Sequence, residues 1–208
     1  MDSYLDIDKL NSLVLDVLKE IGNIGAGNAA TALAKMLNKK IDMNVPKVKV
    51  LDFADVPELI GGAESLVCSV LFTIEGDLKG SIMFLLDINS SKTLVRLLMD
   101  GYELNNIDDF AKSALNEIGN ILSGAYVSSL SSLTGLNMKI SVPSLAIDMA
   151  GAILSVPAIQ FGQVSDKILI IETEFLEGSD NVSGYFLLVP DYDSYDVLLK
   201  SLGVFNHE

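Results

Sequence analysis

Two short stretches of this chain carry the residue types for chemistry at matching spacing. In the first, Asp16, Glu20, Asn23 and Gly27 follow one another at intervals of three and four. In the second, Ser113, Glu117, Asn120 and Gly124 do the same. At 100° per residue each set falls on one flank of a helix, so a carboxylate and a carboxamide project side by side one turn apart. A carboxylate can accept from a cationic donor, and a carboxamide both donates and accepts without titrating. The pattern therefore suits recognition of a charged group and orientation of a polar reactant such as water. A lone Glu-x-x-Asn reads most simply as a solvated helix edge. Its recurrence inside one chain argues against that reading.

The recurrence is part of a tandem duplication. Residues 16–46 align without a gap to residues 113–143, with ten identities: Leu18/Leu115, Glu20/Glu117, Ile21/Ile118, Gly22/Gly119, Asn23/Asn120, Ile24/Ile121, Gly27/Gly124, Leu33/Leu130, Val45/Val142 and Pro46/Pro143. Farther on, Leu51-Asp52-Phe53 answers Ile147-Asp148-Met149, and Ser81–Asp87 answers Gly184–Asp191. The expected organisation is a single domain over residues 1–208 made of two homologous halves, about 8–101 and about 105–203. No Pro/Ser-rich linker separates them, so they are expected to share one sheet.

Each half reads as a long helix, strands and a closing helix. The first helix is expected over about 8–38, with an apolar stripe of Leu10, Leu13, Val14, Val17, Ile21 and Ile24 centred on Val17. The second is expected over about 108–135, with Ile107, Phe110, Ile118 and Ile121 as its stripe. Strands are expected at 47–53, 66–75, 79–87, 138–148, 167–175 and 183–189, and short helices at 90–100, opened by a Ser cap, and 192–202. Residues 150–163 fit either state. The fold class is α+β: a largely antiparallel, six-stranded sheet with pseudo-two-fold symmetry, carrying two long helices. Glycines inside those helices cost about 1 kcal/mol each relative to Ala. Gly22 and Gly119 suit close packing on the sheet, and Gly27 and Gly124, on the polar flank, suit a docking partner.

Composition narrows the function. Twenty-eight acids against fourteen bases give a net charge of −14, which repels nucleic acid and anionic membranes. The single His, His207, and single Cys, Cys68, cannot make a zinc cluster, and no metal site is expected. One Cys allows no internal disulfide, and the acidic N-terminus lacks the basic start of a signal peptide; a cytoplasmic location is expected. The uncharged run Ile118–Met138 holds five Ser, one Thr, two Asn and three Gly. It reads as a buried helix, and no membrane insertion is expected. Gly25–Ala30 matches G-x-G-x-x-A, but it lies within a helix instead of opening one after a strand, which argues against a dinucleotide site.

The full spacing, Asp16-x₃-Glu20-x₂-Asn23-x₂₂-Pro46 and Ser113-x₃-Glu117-x₂-Asn120-x₂₂-Pro143, resembles the double signature of the CheC-type chemotaxis phosphatases, a family that includes CheX and FliY. The resemblance extends over essentially the whole chain, including the segment Pro190–Ser194. It implies hydrolysis of the aspartyl phosphate of the response regulator CheY, with Mg²⁺ carried by that substrate and no cofactor of the protein's own. In that reading Asn23 and Asn120 orient the attacking water, Glu20 and Glu117 pair with the regulator's active-site Lys, Asp16 and Ser113 support them, and Pro46 and Pro143 belong to the structural motif. The family also implies the receptor deamidase CheD as a partner, for which Asp148–Val164, beginning at Asp148, is the candidate surface. The alternative is a non-enzymatic adaptor that binds phosphorylated CheY, CheD or both.

Overall fold

The computed structural model describes residues 12–99, 106–161, 167–177 and 180–203. Helix α1 spans Ser12–Leu37 and is followed by strands β1 (Asp42–Asn44) and β2 (Val48–Asp52) and a 3-10 helix at Phe53–Ile60. Strands β3 (Leu66–Gly76) and β4 (Gly80–Asp87) and helix α2 (Ile88–Leu98) complete the first half. The second half repeats the order with α3 (Asp109–Thr134), β5 (Met138–Ile140), β6 (Ser144–Met149), α4 (Ala150–Phe161), β7 (Lys167–Glu177), β8 (Asp180–Pro190) and α5 (Tyr192–Ser201).

All eight strands of the described residues join one antiparallel sheet, in the order β1-β7-β8-β4-β3-β5, with β2 also on β7 and β6 also on β3. Each half lends two strands to the other half's hairpin. β1 and β2 pair with β7 of the second half, and β5 and β6 pair with β3 of the first. The shared sheet follows from that exchange. The described residues form eight strands where six were expected: β1 lies ahead of the strand expected from residue 47, and the run expected at 138–148 is split in two. Pro46 separates β1 from β2, and Pro143 separates β5 from β6. Proline has no N–H to give to a ladder, so pairing lapses and resumes beyond it.

The two faces of the sheet are covered by different layers. Alternate strand residues Cys68, Val70, Phe72, Ile82, Phe84, Leu86, Leu169, Ile171, Phe186 and Leu188 meet α1, α2, α3 and α5. The residues between them, including Val67, Met83, Leu85, Ile168, Ile170, Leu187 and Val189, meet the 3-10 helix and α4. This is the period-two alternation of a sheet buried on both sides. Phe84 stacks on Phe186 at 4.8 Å between centroids, and Tyr126 of α3 tilts onto the same Phe186 at 4.4 Å. Residues 150–163, open between helix and strand on sequence, are helical through Phe161 despite Pro157. Cys68 is buried, and burial pushes its thiol up to about 11 against the lowering effect of a hydrogen bond with Ser91.

Two sequence expectations need correction. The buried side of α1 runs through Val14, Leu18, Ile21, Gly22, Gly25, Ala26, Ala29 and Leu33. It is turned by roughly 100° from the stripe centred on Val17. Ile24 is 40% exposed and Val17 only half-buried. In α3, Phe110 is 52% exposed, while Ala111, Ala114, Leu115 and Ile118 face inward. Apolar size alone does not set the buried side of either helix. The true core side is rich in Gly and Ala because α1 lies close to α3: a Cβ at Gly25 would come within 3.1 Å of the Tyr126 Cα. The second correction concerns α2. Its cap is Asp87, not Ser90, and the Asp87 carboxylate accepts from the main-chain N–H groups of Asn89 and Ser90.

Candidate functional site

The outward side of α1 carries Asp16, Glu20, Ile24 and Gly27, all exposed, with Asn23 half-buried at its margin. In α3 the equivalent side carries exposed Ser113, Glu117 and Asn120, with half-buried Gly124. The rotation of the buried stripe therefore turns Asp16, Glu20 and Gly27 farther out than the sequence suggested and leaves Asn23 at the margin. α3 is capped at its start by Asp108, whose side chain accepts from the Ala111 N–H, and at its end by Gly135, whose φ of 72° stops the helix. The Ser113 hydroxyl donates to the Asp109 carbonyl of its own helix at 3.0 Å, so it is turned away from Glu117. Asp148 is exposed on β6, where its carboxylate accepts from the Met149 N–H.

The four motif glycines divide in two. A Cβ at Gly22 would lie 3.3 Å from both Val45 methyl groups and 3.5 Å from Ile171, and one at Gly119 would lie 2.9 Å from a Val70 methyl. These two permit close helix-to-sheet contact. A Cβ at Gly27 would meet nothing within 4 Å, and one at Gly124 would meet only Ile140 at 3.9 Å. Nothing within the fold demands glycine there. Gly27→Ala should therefore stabilise the protein by about 0.5–1 kcal/mol, seen as a melt roughly 1–4 °C higher. An unchanged or lower melting temperature would show that Gly27 has an intramolecular role.

Two features of the first site escaped sequence reasoning. The Asn23 Oδ1 accepts a 2.9 Å hydrogen bond from the main-chain N–H of Val45, which is itself 2% exposed. The repetition of Val45-Pro46 as Val142-Pro143 marked the position but not the bond. In addition, Gly27 opens onto a groove of about 610 Å³ between the C-terminal half of α1 and β1, edged by Lys35, Lys40 and Asp42. Lys40 pairs with Asp42 across 3.1 Å at the surface. The second repeat has Ser132, Asn137 and Lys139 at these three positions. Among the described residues, no group of three or more His, Cys, Asp and Glu side chains could hold a metal ion.

The family model described as the CheC-like family matches residues 13–50 and 110–147, the two helix-and-proline repeats. The CheY-P phosphatase CheC of Bacillus subtilis is 37% identical over 195 residues, covering 91% of this chain and 93% of that protein. The flagellar motor switch phosphatase FliY of the same species is 26% identical over 68% of this chain, but only 38% of its own length is covered. Among solved structures, that of Thermotoga maritima FliY superposes with a TM-score of 0.74 at 27% identity, covering 95% of this chain and 98% of that one. The FliM middle domain from H. pylori shares the fold with a TM-score of 0.68 at 12% identity. With both helix repeats matched and a whole-length relative at this identity, the chain belongs to the CheC-like family.

Proposed function

We propose that this protein is a CheY-P phosphatase that works through two Glu/Asn sites. One observation carries the reading: each long helix presents an exposed Glu with an Asn one turn on, Asn120 exposed and Asn23 half-buried at the margin, beside a glycine that no contact within the fold requires. The regulator supplies the aspartyl phosphate, its Mg²⁺ and a lysine. Glu20 or Glu117 accepts from that lysine in a charge-assisted bond and seats the helix. Asn23 or Asn120 then holds a water in line with the phosphorus. The water oxygen bonds to phosphorus as the bond to the aspartyl oxygen breaks, releasing inorganic phosphate and restoring the carboxylate. Asp16 and Ser113, one turn before each Glu, act at the rim of the docked helix.

The deamidase CheD is proposed as a second partner. Its surface would begin at Asp148 on the exposed strand β6 and continue over α4. Met149, Val156 and Ile159 are exposed there, and Leu66 beside Met149 on β3 extends the apolar area. No helix of the described residues is long and apolar enough to cross a membrane.

The test is loss of label from ³²P-phosphorylated CheY in Mg²⁺ with substoichiometric protein. Wild type should give many turnovers. Glu20→Ala/Glu117→Ala, altered only at exposed positions, should fall by about a hundredfold or to the regulator's own rate. Equal decay with both proteins would overturn the assignment, and binding without turnover would favour the adaptor reading. In the same assay Gly27→Ala should lower turnover while raising the melting temperature, because its new methyl would stand between α1 and the docked regulator.

A further inference from the structure

The two repeats place their valines differently. In the first, the Val45 side chain is buried over Gly22, and this holds its N–H against the Asn23 Oδ1 at 2.9 Å. A main-chain N–H can meet only the oxygen of a carboxamide, so the bond fixes which end of the amide faces inward. The Asn23 Nδ2 and the remaining lone pair of Oδ1 are left for an outside partner. In the second repeat Val142 is 85% exposed. Ser141 holds that loop to β3: its N–H donates to the Thr73 carbonyl at 2.9 Å, its Oγ accepts from the Thr73 N–H at 3.0 Å, and the hydroxyl donates to the Val142 carbonyl. Its counterpart in the first repeat, Asn44, is the last residue of β1 and lies opposite Glu174. Among the described residues the Asn120 carboxamide makes no hydrogen bond, and the side chain is exposed.

We propose that the Val45 main-chain N–H is a positioning group of the first site, and that the two sites are unequal as a result. This inference builds on the phosphatase reading above. Asn23 meets the phosphoryl group already oriented, whereas Asn120 has to be ordered in each encounter. Fixing one polar side chain has a cost that pre-orientation removes. The amide contacts the water and not the partner's surface, so the cost falls on turnover more than on docking.

Two single-site proteins test this. Glu117→Ala leaves the first site and Glu20→Ala leaves the second, and both changes are at exposed residues outside the Asn23–Val45 bond. The Glu117→Ala protein should keep the larger kcat by about three- to tenfold, with KM values alike within about threefold. Independently, ¹⁵N relaxation of the carboxamide groups should give Asn23 an order parameter near that of rigid backbone, about 0.85, and Asn120 one below about 0.6. Equal kcat values, a larger kcat for Glu20→Ala, or an Asn120 amide as ordered as Asn23 would overturn the inference. The Glu20→Ala/Glu117→Ala protein separates the two levels. If it still turns over, the assignment of catalysis to the two Glu/Asn sites fails; if it is silent and the single-site rates are equal, only the inequality fails.

Discussion

Leu18→Asp should leave no folded protein at room temperature, while Val17→Asp, one residue away, should leave a folded one. Leu18 is 4% exposed and packs into the cluster that joins α1, α3 and the sheet. A carboxylate there has no partner, and both the lost apolar contact and the buried charge count against it. A cost above about 5 kcal/mol is expected, comparable to the whole stability of many domains. Val17 is half-buried, so an aspartate there can turn to water, and about 1–2 kcal/mol is expected. Circular dichroism melts compare the two. The reverse order would show that α1 is seated on the sheet by its Val17 side after all.

Asn23→Ala and Asn120→Ala should also part company, although the two residues occupy equivalent positions in the repeats. Removing the Asn23 side chain leaves the buried Val45 N–H without its acceptor, at a cost of about 1–3 kcal/mol. For a chain of this length that is a fall in melting temperature of about 2–12 °C. Removing the Asn120 side chain takes away an exposed group, so the melt should stay within about 2 °C. The difference bears on any activity assay that uses both alanine variants. Loss of turnover in Asn23→Ala mixes a lost amide with a loosened α1–β1 connection, whereas loss in Asn120→Ala reports the amide alone. Equal melts would mean that the Asn23–Val45 bond contributes nothing to the folded state.

Most of the fold was legible because the chain states it twice. The repeat at an offset of 97 residues pairs Glu20 with Glu117, Asn23 with Asn120 and Pro46 with Pro143 from sequence alone. Strong local signals located the hairpin β3–β4 and the length of α3. The orientation of α1 was less legible. Val17 and Ile24 are more hydrophobic than Gly25, Ala26 and Ala29, yet the small residues face the core because Tyr126 approaches so closely. Hydrophobic periodicity measures the apolar character of a side chain and says nothing of how near a neighbouring backbone will come.

The sequence by itself determined the duplication, the α+β class and the two Glu/Asn ridges, since these depend on residue identity and helical geometry, which are local. Only the tertiary structure decided how far the ridges turn outward, that each half donates strands to the other, and that Asn23 is held while Asn120 is not. Those outcomes depend on contacts between residues far apart in the chain. Identical Val-Pro pairs end up buried in one repeat and exposed in the other: Val45 packs over Gly22 and beside Asn23, whereas Val142 follows Ser141, which is bonded to Thr73, 68 residues away.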